Sequence, residues 1–386
     1  MGEAKKIYNT IIIGAGPAGL IAGRYLKDAL ILDKKKEIGK PIQCGEGISK
    51  SALLLQGIKP DPAWISSEIY KVERIMPNGK SIGRFHKEPI GYVIDREKFE
   101  KYLAKNSKAE IKLETEVIDL KFNGRFWEVI TNNNQIFQAK YIIGADGYNS
   151  IVRKKVFPEN QKKIDFTPAI EYLVKTEKEF DTKIMKFYFD NQFLPNGYAW
   201  IFPKSENTAN IGLGGDGNLL EKFNWFLKEK VAKEYGNYEL LINKSGVIPS
   251  IKTIKENISF FKNNAILVGD AAALADPIFK GGMNQAMQSA KIVAECILKN
   301  EAENYEKKIK SMPFLNPNLF LINKIFYSFE NEVLNELANV LNEKGTSYLA
   351  NPKGIIEFLS KEKLRKNFLK IYKFFYIWKK NRDYLW

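Results

Sequence analysis

Near its amino terminus the chain reads Ile11-Ile12-Ile13-Gly14-Ala15-Gly16-Pro17-Ala18-Gly19-Leu20. A short run of β-branched residues is typical of a buried strand in a parallel sheet, and an apolar helical pattern follows the glycines. Gly14 allows a sharp turn, Gly16 lets the backbone approach a pyrophosphate, and Gly19 lets the helix pack tightly on the strand. The N-terminus of that helix offers free N–H groups to phosphate oxygens. The stretch therefore predicts a dinucleotide-binding βαβ unit.

The acidic residue that this unit needs for a ribose hydroxyl is Asp33, at the end of the next strand, Ala29-Leu30-Ile31-Leu32. Asp33 lies close to the expected spacing of about 20 residues from the first glycine. A glycine pattern alone is common by chance. A strand before it, a helix after it and an acid at the next strand end together favour the dinucleotide site.

The composition sets the class of protein. A chain of 386 residues has room for two domains of about 100–200 residues, and its 45% hydrophobic content is that of a globular protein. No apolar run approaches the roughly 18 residues of a membrane-spanning helix, and the first residues leave no room for a signal peptide. Cys44 and Cys296 are too few for a disulfide framework or a four-cysteine metal site. We expect a cytoplasmic protein.

The formal net charge of +15 indicates an anionic partner. No nucleic-acid-binding motif is present, so we expect no nucleic-acid partner. An anionic lipid surface or a phosphate-bearing substrate fits the charge better, and a purely solubilising role of the lysines is the alternative.

Two further segments resemble ligand loops. Glycines flank Cys44 and Glu46 in Lys40–Ser49, which indicates a loop that approaches a flat or bulky group, although a lone cysteine is more often a packing residue. Asp95 is a plausible N-cap of the next helix, and Arg96 stands in its first turn. The helix dipole disfavours a cation there, and an anion such as a cofactor phosphate would remove the conflict.

The strand-then-turn pattern of the opening recurs twice. Tyr141–Ser150 contains the turn Gly144-Ala145-Asp146-Gly147, and Ala265–Ala272 contains Gly269-Asp270. The second of these continues through Pro277 to Gly281-Gly282-Met283, where a helix begins. Glycines at that helix start would present N–H groups to an electron-rich ring edge, and Asp270 would accept hydrogen bonds from hydroxyl groups.

Three glycine–aspartate turns in this order resemble the flavoprotein monooxygenase-like superfamily, in which all three hold one FAD. Within it the chain is similar to the geranylgeranyl reductase family, which saturates isoprenoid chains, including those of archaeal ether lipids. Pro41–Ser49 is similar to the family's loop beside the flavin. Pro195–Lys204, with Gly212 and Gly214 after it, is similar to its lipid-pocket signature. The similarity is traceable from about Tyr8 to Leu298.

This resemblance implies a mixed α/β fold with a Rossmann-like FAD-binding domain, an antiparallel-sheet substrate domain and a C-terminal helical region. The expected FAD domain is discontinuous, over 1–75, 91–160 and 258–300, and the substrate domain covers 166–250 with 76–90. The helical region covers 301–386. The FAD contacts implied are Gly14, Ala15, Gly16, Gly19, Asp33, Cys44, Gly45, Gly47, Arg96, Val117, Asp146, Gly147, Gly269, Asp270, Pro277, Gly281, Gly282 and Met283.

Tyr198, Trp200 and Phe202 are spaced by two, so their side chains share one face of a strand. An aromatic face of this kind suits a long apolar ligand, whereas the same spacing also lines ordinary cores. The resemblance favours the ligand pocket, with Pro203 and Gly212 completing the expected substrate contacts.

The implied activity is FAD-dependent reduction of carbon–carbon double bonds. A hydride is added to one carbon of an isolated alkene and a proton to the other. A dry, aromatic pocket suits this step. Cys44 and Glu46 are the candidate proton donors, with Cys44 preferred from the resemblance. NAD(P)H or a ferredoxin-like protein would supply electrons. His86, the single histidine, is expected at the surface, and Cys296 in the core.

Two departures from the family pattern stand out. The helix after Gly19 is about a turn shorter than in family members, which weakens the expected ribose contact of Asp33. Lys280 replaces a glycine, which would narrow the flavin loop or place a cation near the ring.

Other functions share the turns. An FAD hydroxylase is the main alternative. Electron transfer to quinone would need an iron–sulfur cluster, which two cysteines cannot hold. A halogenase would carry a second tryptophan motif. The hypothesis of a non-catalytic flavoprotein at the membrane is supported only by the basic, aromatic tail.

The tail, Lys363–Trp386, mixes basic and aromatic residues and is expected to dock on an anionic membrane. The alternative is that its apolar stripe packs on the body of the protein. The stripe consists of Leu364, Phe368, Ile371, Phe375 and Trp378.

Overall fold

The computed structural model of the chain describes residues 6–252 and 258–381. Within these ranges the chain forms three sheets and a set of C-terminal helices. The strands are β1 (Ile7–Ile13), β2 (Ala29–Leu32), β3 (Gly47–Ser49), β4 (Ile65–Ile69), β5 (Lys71–Ile75), β6 (Ser81–Ile82), β7 (Gly91–Ile94), β8 (Glu110–Lys112), β9 (Val117–Phe122), β10 (Trp127–Thr131), β11 (Ile136–Gly144), β12 (Ile164–Thr176), β13 (Ile184–Tyr188), β14 (Tyr198–Pro203), β15 (Thr208–Gly214), β16 (Tyr238–Ile251), β17 (Phe261–Lys262) and β18 (Ala265–Leu267).

Most helices are short, and a π-helical segment, Leu227–Ala232, connects the fifth and sixth of them. The helices are α1 (Pro17–Tyr25), α2 (Lys50–Leu55), α3 (Arg96–Lys105), α4 (Ile151–Val156), α5 (Leu219–Phe226), α6 (Lys233–Tyr235), α7 (Met283–Leu298), α8 (Tyr305–Lys310), α9 (Pro317–Tyr327), α10 (Asn331–Leu341), α11 (Pro352–Ser360), α12 (Glu362–Lys366) and α13 (Phe368–Asn381).

The first sheet has the order β17-β18-β11-β1-β2-β8, and β9 and β10 extend it as an antiparallel meander beside β11. Strand β1 pairs in parallel with β11 on one side and β2 on the other. These central strands are buried on both faces, which explains the apolar runs Ile11–Ile13 in β1 and Ala29–Leu32 in β2. The carboxyl ends of β1, β11 and β18 therefore meet at one edge of the sheet, as the three repeated turns predicted.

The second sheet has the order β16-β12-β15-β14-β13-β5-β6. Its strand β14 divides its side chains as the spacing predicted: Tyr198, Trp200 and Phe202 face the main core, whereas Ala199 and Ile201 face a smaller core beneath α5. The sheet also takes in β5, because β5 pairs in parallel with β13. The third sheet, β3-β7-β4, carries the segment after Glu46.

Helices α8–α13 follow the long helix α7, and α13 packs against α9. In α13 the side chains of Ile371, Phe374 and Ile377 are buried, and the Phe374 ring stacks on Phe326 with centroids 5.3 Å apart. No helix in the described part of the chain combines the length and hydrophobicity needed to cross a bilayer.

The expected stripe of the tail divides between the core and the surface. Leu364 and Ile371 are buried, and Phe375 and Trp378 are half-buried against the core, whereas Phe368 is exposed. Residues 382–386 of the expected docking tail lie outside the described residues. The inner face of α13 therefore packs on the body of the protein, as the alternative interpretation of the tail proposed.

Candidate active site

The first turn is held by backbone groups and by one carboxylate. The N–H of Ala15 donates to Asp33 Oδ2 (2.5 Å), and the N–H of Lys35 donates to Asp33 Oδ1 (2.8 Å). Asp33, at the end of β2, is buried and so holds the glycine loop that follows β1. A Cβ on Gly19 would lie 1.9 Å from the Gly14 carbonyl oxygen, whereas a Cβ on Gly16 would meet nothing within 4 Å. The loop is therefore tightly packed at Gly19, on the side of β1, and open at Gly16. We call this open side its open front.

The second turn lies directly beside the first. The N–H of Ala145 donates to the Ile13 carbonyl (2.8 Å), and a Cβ on Gly14 would lie 2.3 Å from the Ala145 carbonyl oxygen. Asp146 Oδ2 accepts from the N–H of Ile151 (2.6 Å) at the start of α4. Gly147 has a φ of +75° and open space where a Cβ would stand. The second turn therefore repeats the open front of the first.

The third turn closes on the same edge. A Cβ on Gly269 would lie 3.3 Å from the Ala18 Cβ in α1, and a Cβ on Gly282 would lie 3.1 Å from Asp270 Oδ1. Arg153, which sequence reasoning left without a role, donates from Nη1 to the Ala271 carbonyl (2.8 Å) and from Nη2 to the Tyr148 carbonyl. Arg153 thus ties the second turn to the third.

The remaining cofactor candidates lie around these turns. Val117 begins β9, two residues after Thr115, whose N–H donates to the Asp33 carbonyl (2.9 Å). Pro277 is buried between the third turn and α7, and Met283 begins α7. Lys280 has a φ of +57°, a left-handed conformation in which glycine is unstrained, and burial lowers its pKa. The backbone at this position thus gives a physical reason for the glycine of the family pattern.

Cys44 and Arg96 lie together at the edge of this region. Burial raises the pKa of the Cys44 thiol against the opposing charge of Arg96, and Cys44 Sγ accepts from the N–H of Glu46 (3.2 Å). Asp270 is also within electrostatic range of Arg96, although burial raises the Asp270 pKa overall. The anion that the first turn of α3 required is Glu100, whose Oε1 lies 2.6 Å from Arg96 Nε. The chain itself therefore resolves the helix-dipole conflict.

Glu46 is the centre of a buried polar network. Its Oε2 accepts from Lys204 Nζ (2.7 Å) and Asn210 Nδ2 (2.6 Å), and Lys244 Nζ stands 3.6 Å away. Burial alone would raise the pKa of Glu46, but Lys204 and Lys244 outweigh it and lower that pKa. Glu46 is therefore an ionised carboxylate at neutral pH and a poor proton donor.

Glu171 is the second acid of the network, and sequence reasoning missed it. Its Oε2 accepts from Trp200 Nε1 (2.9 Å), and its Oε1 accepts from Lys244 Nζ (3.1 Å). Burial raises its pKa to about 7 against the opposing charge of Lys244. A single glutamate in an alternating strand has no sequence pattern that marks it as functional. In the sheet, Glu171 lies opposite Gly212 on β15. A Cβ at Gly212 would lie 2.4 Å from the Trp200 ring, so the glycine leaves room for that ring beside Glu171.

The aromatic face of β14 lies between the polar network and the segment before Gly281. Trp200 lies 5.8 Å from Tyr198 and 6.2 Å from Phe202 between ring centroids, and the Tyr198 hydroxyl donates to the Phe279 carbonyl. A Cβ on Gly45 would lie 3.0 Å from the Phe202 ring. The structure therefore brings the predicted aromatic face against both the Gly45 loop and the segment before Gly281, while Pro203 ends the strand.

A cavity of about 60 Å³ lies on the far side of Phe279, and its lining is almost wholly apolar. This volume is small for a phospholipid, so a ligand of that size requires the surrounding helices to move. Its lining includes Arg74, Phe189, Phe279, Phe326, Phe374 and Trp378.

Two residues lie apart from this site. Cys296 is buried in α7 among apolar residues, as expected. His86 is half-buried between β6 and β7, and burial lowers its pKa.

Comparisons with known proteins agree with this architecture. A family model for the geranylgeranyl reductase catalytic domain matches residues 165–248. A digeranylgeranylglycerophospholipid reductase of Methanosarcina acetivorans is 32% identical, covering 88% of this chain and 89% of the relative. The chain belongs to the geranylgeranyl reductase family. A second such reductase, from Methanococcoides burtonii, is 33% identical over 88% of this chain and 89% of its own length.

Solved structures place this family member within a wider fold. A geranylgeranyl bacteriochlorophyll reductase-like protein from Thermoplasma acidophilum superposes with a TM-score of 0.79 at 25% identity, covering 95% of this chain and 100% of that one. A halogenase in complex with FAD superposes with a TM-score of 0.62 at 15% identity, covering 87% and 77% of the two chains. The fold is thus shared with flavin-dependent enzymes of other activities, including the type that the sequence disfavoured.

Proposed function

We propose that the chain is an FAD-dependent reductase that saturates carbon–carbon double bonds in the isoprenoid chains of ether phospholipids. The observation that carries this is the position of the Tyr198, Trp200 and Phe202 face, which lies between the Gly45 loop and Phe279, in the segment before Gly281. An aromatic face at that place suits an extended apolar chain beside a flavin. The names of the relatives supply the substrate class.

The residues present fit FAD. The open fronts at Gly16 and Gly147 leave room for a ligand against the backbone, while Gly282 and Asp270 face each other at the start of α7. Gly14, Ala15 and Gly16 would hold the pyrophosphate, and Asp270 would hold hydroxyl groups of the ribityl chain. When bound, FAD supplies the hydride for the reduction.

The chain's own residues supply the dry environment and the proton. The aromatic face excludes water from a carbon on which positive charge develops. Cys44 carries its proton at neutral pH because burial raises its pKa, and we assign it the proton transfer. Glu46, the other acid predicted from the sequence, is ionised in its pairing with Lys204 and keeps the loop in place. Glu171 is partly protonated near neutral pH and is the alternative donor.

The electron donor and the membrane are further parts of the proposal. Either NAD(P)H or a ferredoxin-like protein reduces the bound flavin, and the two are distinguished by supplying each one separately. The enzyme meets its lipid at an anionic membrane surface through α11 and α13. Leu369 of α13 is 79% exposed and Ile356 of α11 is 69% exposed, and Lys370 and Lys373 stand beside Leu369 at the surface.

The test uses the purified, flavin-loaded protein without oxygen. Its flavin is reduced chemically and then mixed with an unsaturated diether phospholipid. We expect the oxidised flavin spectrum to return and the lipid to gain two hydrogen atoms per reduced bond. A lipid that stays unchanged without oxygen and gains an oxygen atom in air would instead support the hydroxylase. The gain of oxygen is thus the outcome that contradicts the reductase.

A further inference from the structure

One cation of the apolar cavity has no anionic partner. Arg74, next to the end of β5, lines this cavity, and no described residue offers its guanidinium a carboxylate or a hydrogen-bond acceptor. The guanidinium is in contact with two aromatic rings: Cζ lies 5.9 Å from the Phe279 ring centroid and 5.7 Å from that of Trp378. A charged group is therefore presented to a space that is otherwise apolar.

Three other enclosed cations among the described residues have polar partners. Lys71, on the same strand, lies 2.8 Å from Glu73, Arg96 lies 2.6 Å from Glu100, and Arg153 donates to backbone carbonyls. Arg74 differs from all three. Burial lowers its pKa only to about 10, so the guanidinium is charged at neutral pH. Cation–π contacts with two rings offset only part of the lost hydration of such a charge.

The chemistry of a ligand suited to this cavity follows from its two halves. The rings of Phe189, Phe326 and Phe374 require an apolar body, and the guanidinium requires an anion with at least two oxygens. Building on the proposed function, we propose that Arg74 binds the phosphate group of the lipid substrate. A phosphate held there, once the surrounding helices move to admit it, lies beside Phe279, two residues before Gly281, and so it determines which double bonds reach the flavin.

The experiment compares two substrates and three variants of the flavin-loaded enzyme. The substrates are an unsaturated diether phospholipid and the same lipid as a free alcohol. Arg74→Gln removes the charge, Arg74→Lys keeps the charge without the two-pronged geometry, and Arg84→Gln removes an exposed arginine as the control. We expect Arg74→Gln to raise KM for the phospholipid by about 10- to 100-fold and to leave KM for the alcohol within about twofold. Arg74→Lys should fall between, and Arg84→Gln should match the wild type.

A binding measurement keeps the inference separate from catalysis. A fully saturated phospholipid cannot be reduced, and it should raise the Tm of the wild type more than that of Arg74→Gln. Equal KM values of wild type and Arg74→Gln for the phospholipid, with equal Tm shifts, overturn the inference while leaving the reductase intact. A wild type that reduces neither lipid contradicts the proposed function, and the Tm shifts then still test Arg74.

Two further arms identify the source of the anion. Inorganic phosphate should inhibit reduction of the phospholipid competitively and leave reduction of the alcohol unchanged. If inorganic phosphate stabilises the wild type while both lipids show the same KM, the site takes free phosphate and the headgroup assignment is wrong. Asp383 lies just beyond the described residues. If Asp383→Asn reproduces every effect of Arg74→Gln, the anion belongs to the chain and the inference is overturned.

Discussion

The edge of the first sheet and the inner face of the second meet at one site, but they are made of different parts. At the first sheet the ligand-facing surface consists of backbone atoms. Backbone hydrogen bonds hold its turns together, such as the one from the Ala145 N–H to the Ile13 carbonyl. At the second sheet it consists of side chains from separate strands, with Glu171, Trp200 and Lys244 joined across β12, β14 and β16. Backbone sites tolerate little change in shape, whereas side-chain networks respond mainly to changes in charge.

The largest expected effects are those of substitutions at two glycines of the first turn, one of which should abolish folding and the other only FAD binding. Gly19→Val places a side chain 1.9 Å from the Gly14 carbonyl, so we expect loss of the folded protein. Gly16→Val meets open space and has a φ of −87°, so we expect a folded protein that binds no FAD. Circular dichroism and the flavin-to-protein absorbance ratio measure the two effects. A folded, yellow Gly16→Val protein would mean that FAD does not lie over Gly16.

The same contrast explains how much the sequence predicted. The turns of the first sheet require glycines a few residues apart, so their pattern is local and was recognised together with the parallel strands. The aromatic face of β14 was also local, because a spacing of two is visible within one strand. Glu171, Lys204 and Lys244 come together only through the pairing of β16, β12, β15 and β14. The cavity around Arg74 is completed by α13, hundreds of residues away along the chain. No local pattern marks such residues.

The next expected effect is catalytic and concerns Cys44. Cys44→Ser keeps the size of the side chain, so the flavin should stay bound, while alkene reduction should fall by about 100-fold if the thiol delivers the proton. Anaerobic reoxidation of the reduced flavin by the lipid measures the rate. Glu46→Gln is the matched variant in the same loop, and it should reduce the rate less because Glu46 is already ionised. Unchanged turnover in Cys44→Ser would leave Glu171 as the donor.

A third prediction concerns stability against pH, where the two acids of the network should act in opposite windows. The folded-state pKa of Glu171 is raised from 4.5 to about 7, so its contribution is present below pH 4.5 and is lost as the pH rises through 7. A shift of this size corresponds to about 3 kcal/mol as an upper bound. Glu171→Gln should therefore flatten the fall in the free energy of unfolding between pH 5 and 8.

Glu46 provides the matched comparison. Its folded-state pKa is lowered, so its contribution is present above pH 4.5 and is lost as the pH falls below that value. Glu46→Gln should flatten only this acid limb. Urea unfolding from pH 3 to pH 9 measures both slopes, and a Glu171→Gln curve parallel to the wild type above pH 5 would show that Glu171 does not titrate there.

The smallest expected effect concerns the outer face of α13, which belongs to neither sheet. Removing the tail after Ser360 would test it poorly, because Ile371, Phe374 and Ile377 belong to the core. The exposed face is better tested by substitution. On it the rings of Tyr372 and Tyr376 stack 6.0 Å apart, beside Leu369.

An apolar and aromatic face among lysines suits an anionic bilayer, where each nearby lysine contributes about 1 kcal/mol. Leu369→Glu removes apolar area and adds a repelled charge, so we expect its binding to anionic liposomes to fall by about tenfold, and the wild-type binding to weaken with salt. Ile118→Glu, at an exposed apolar position on β9, is the matched control. Reduction of detergent-dispersed lipid should stay unchanged in both variants, because neither side chain lines the cavity. Equal liposome binding by the wild type and both variants would mean that α13 only completes the core. The positive charge of the protein would then have a role other than docking α13 on the membrane.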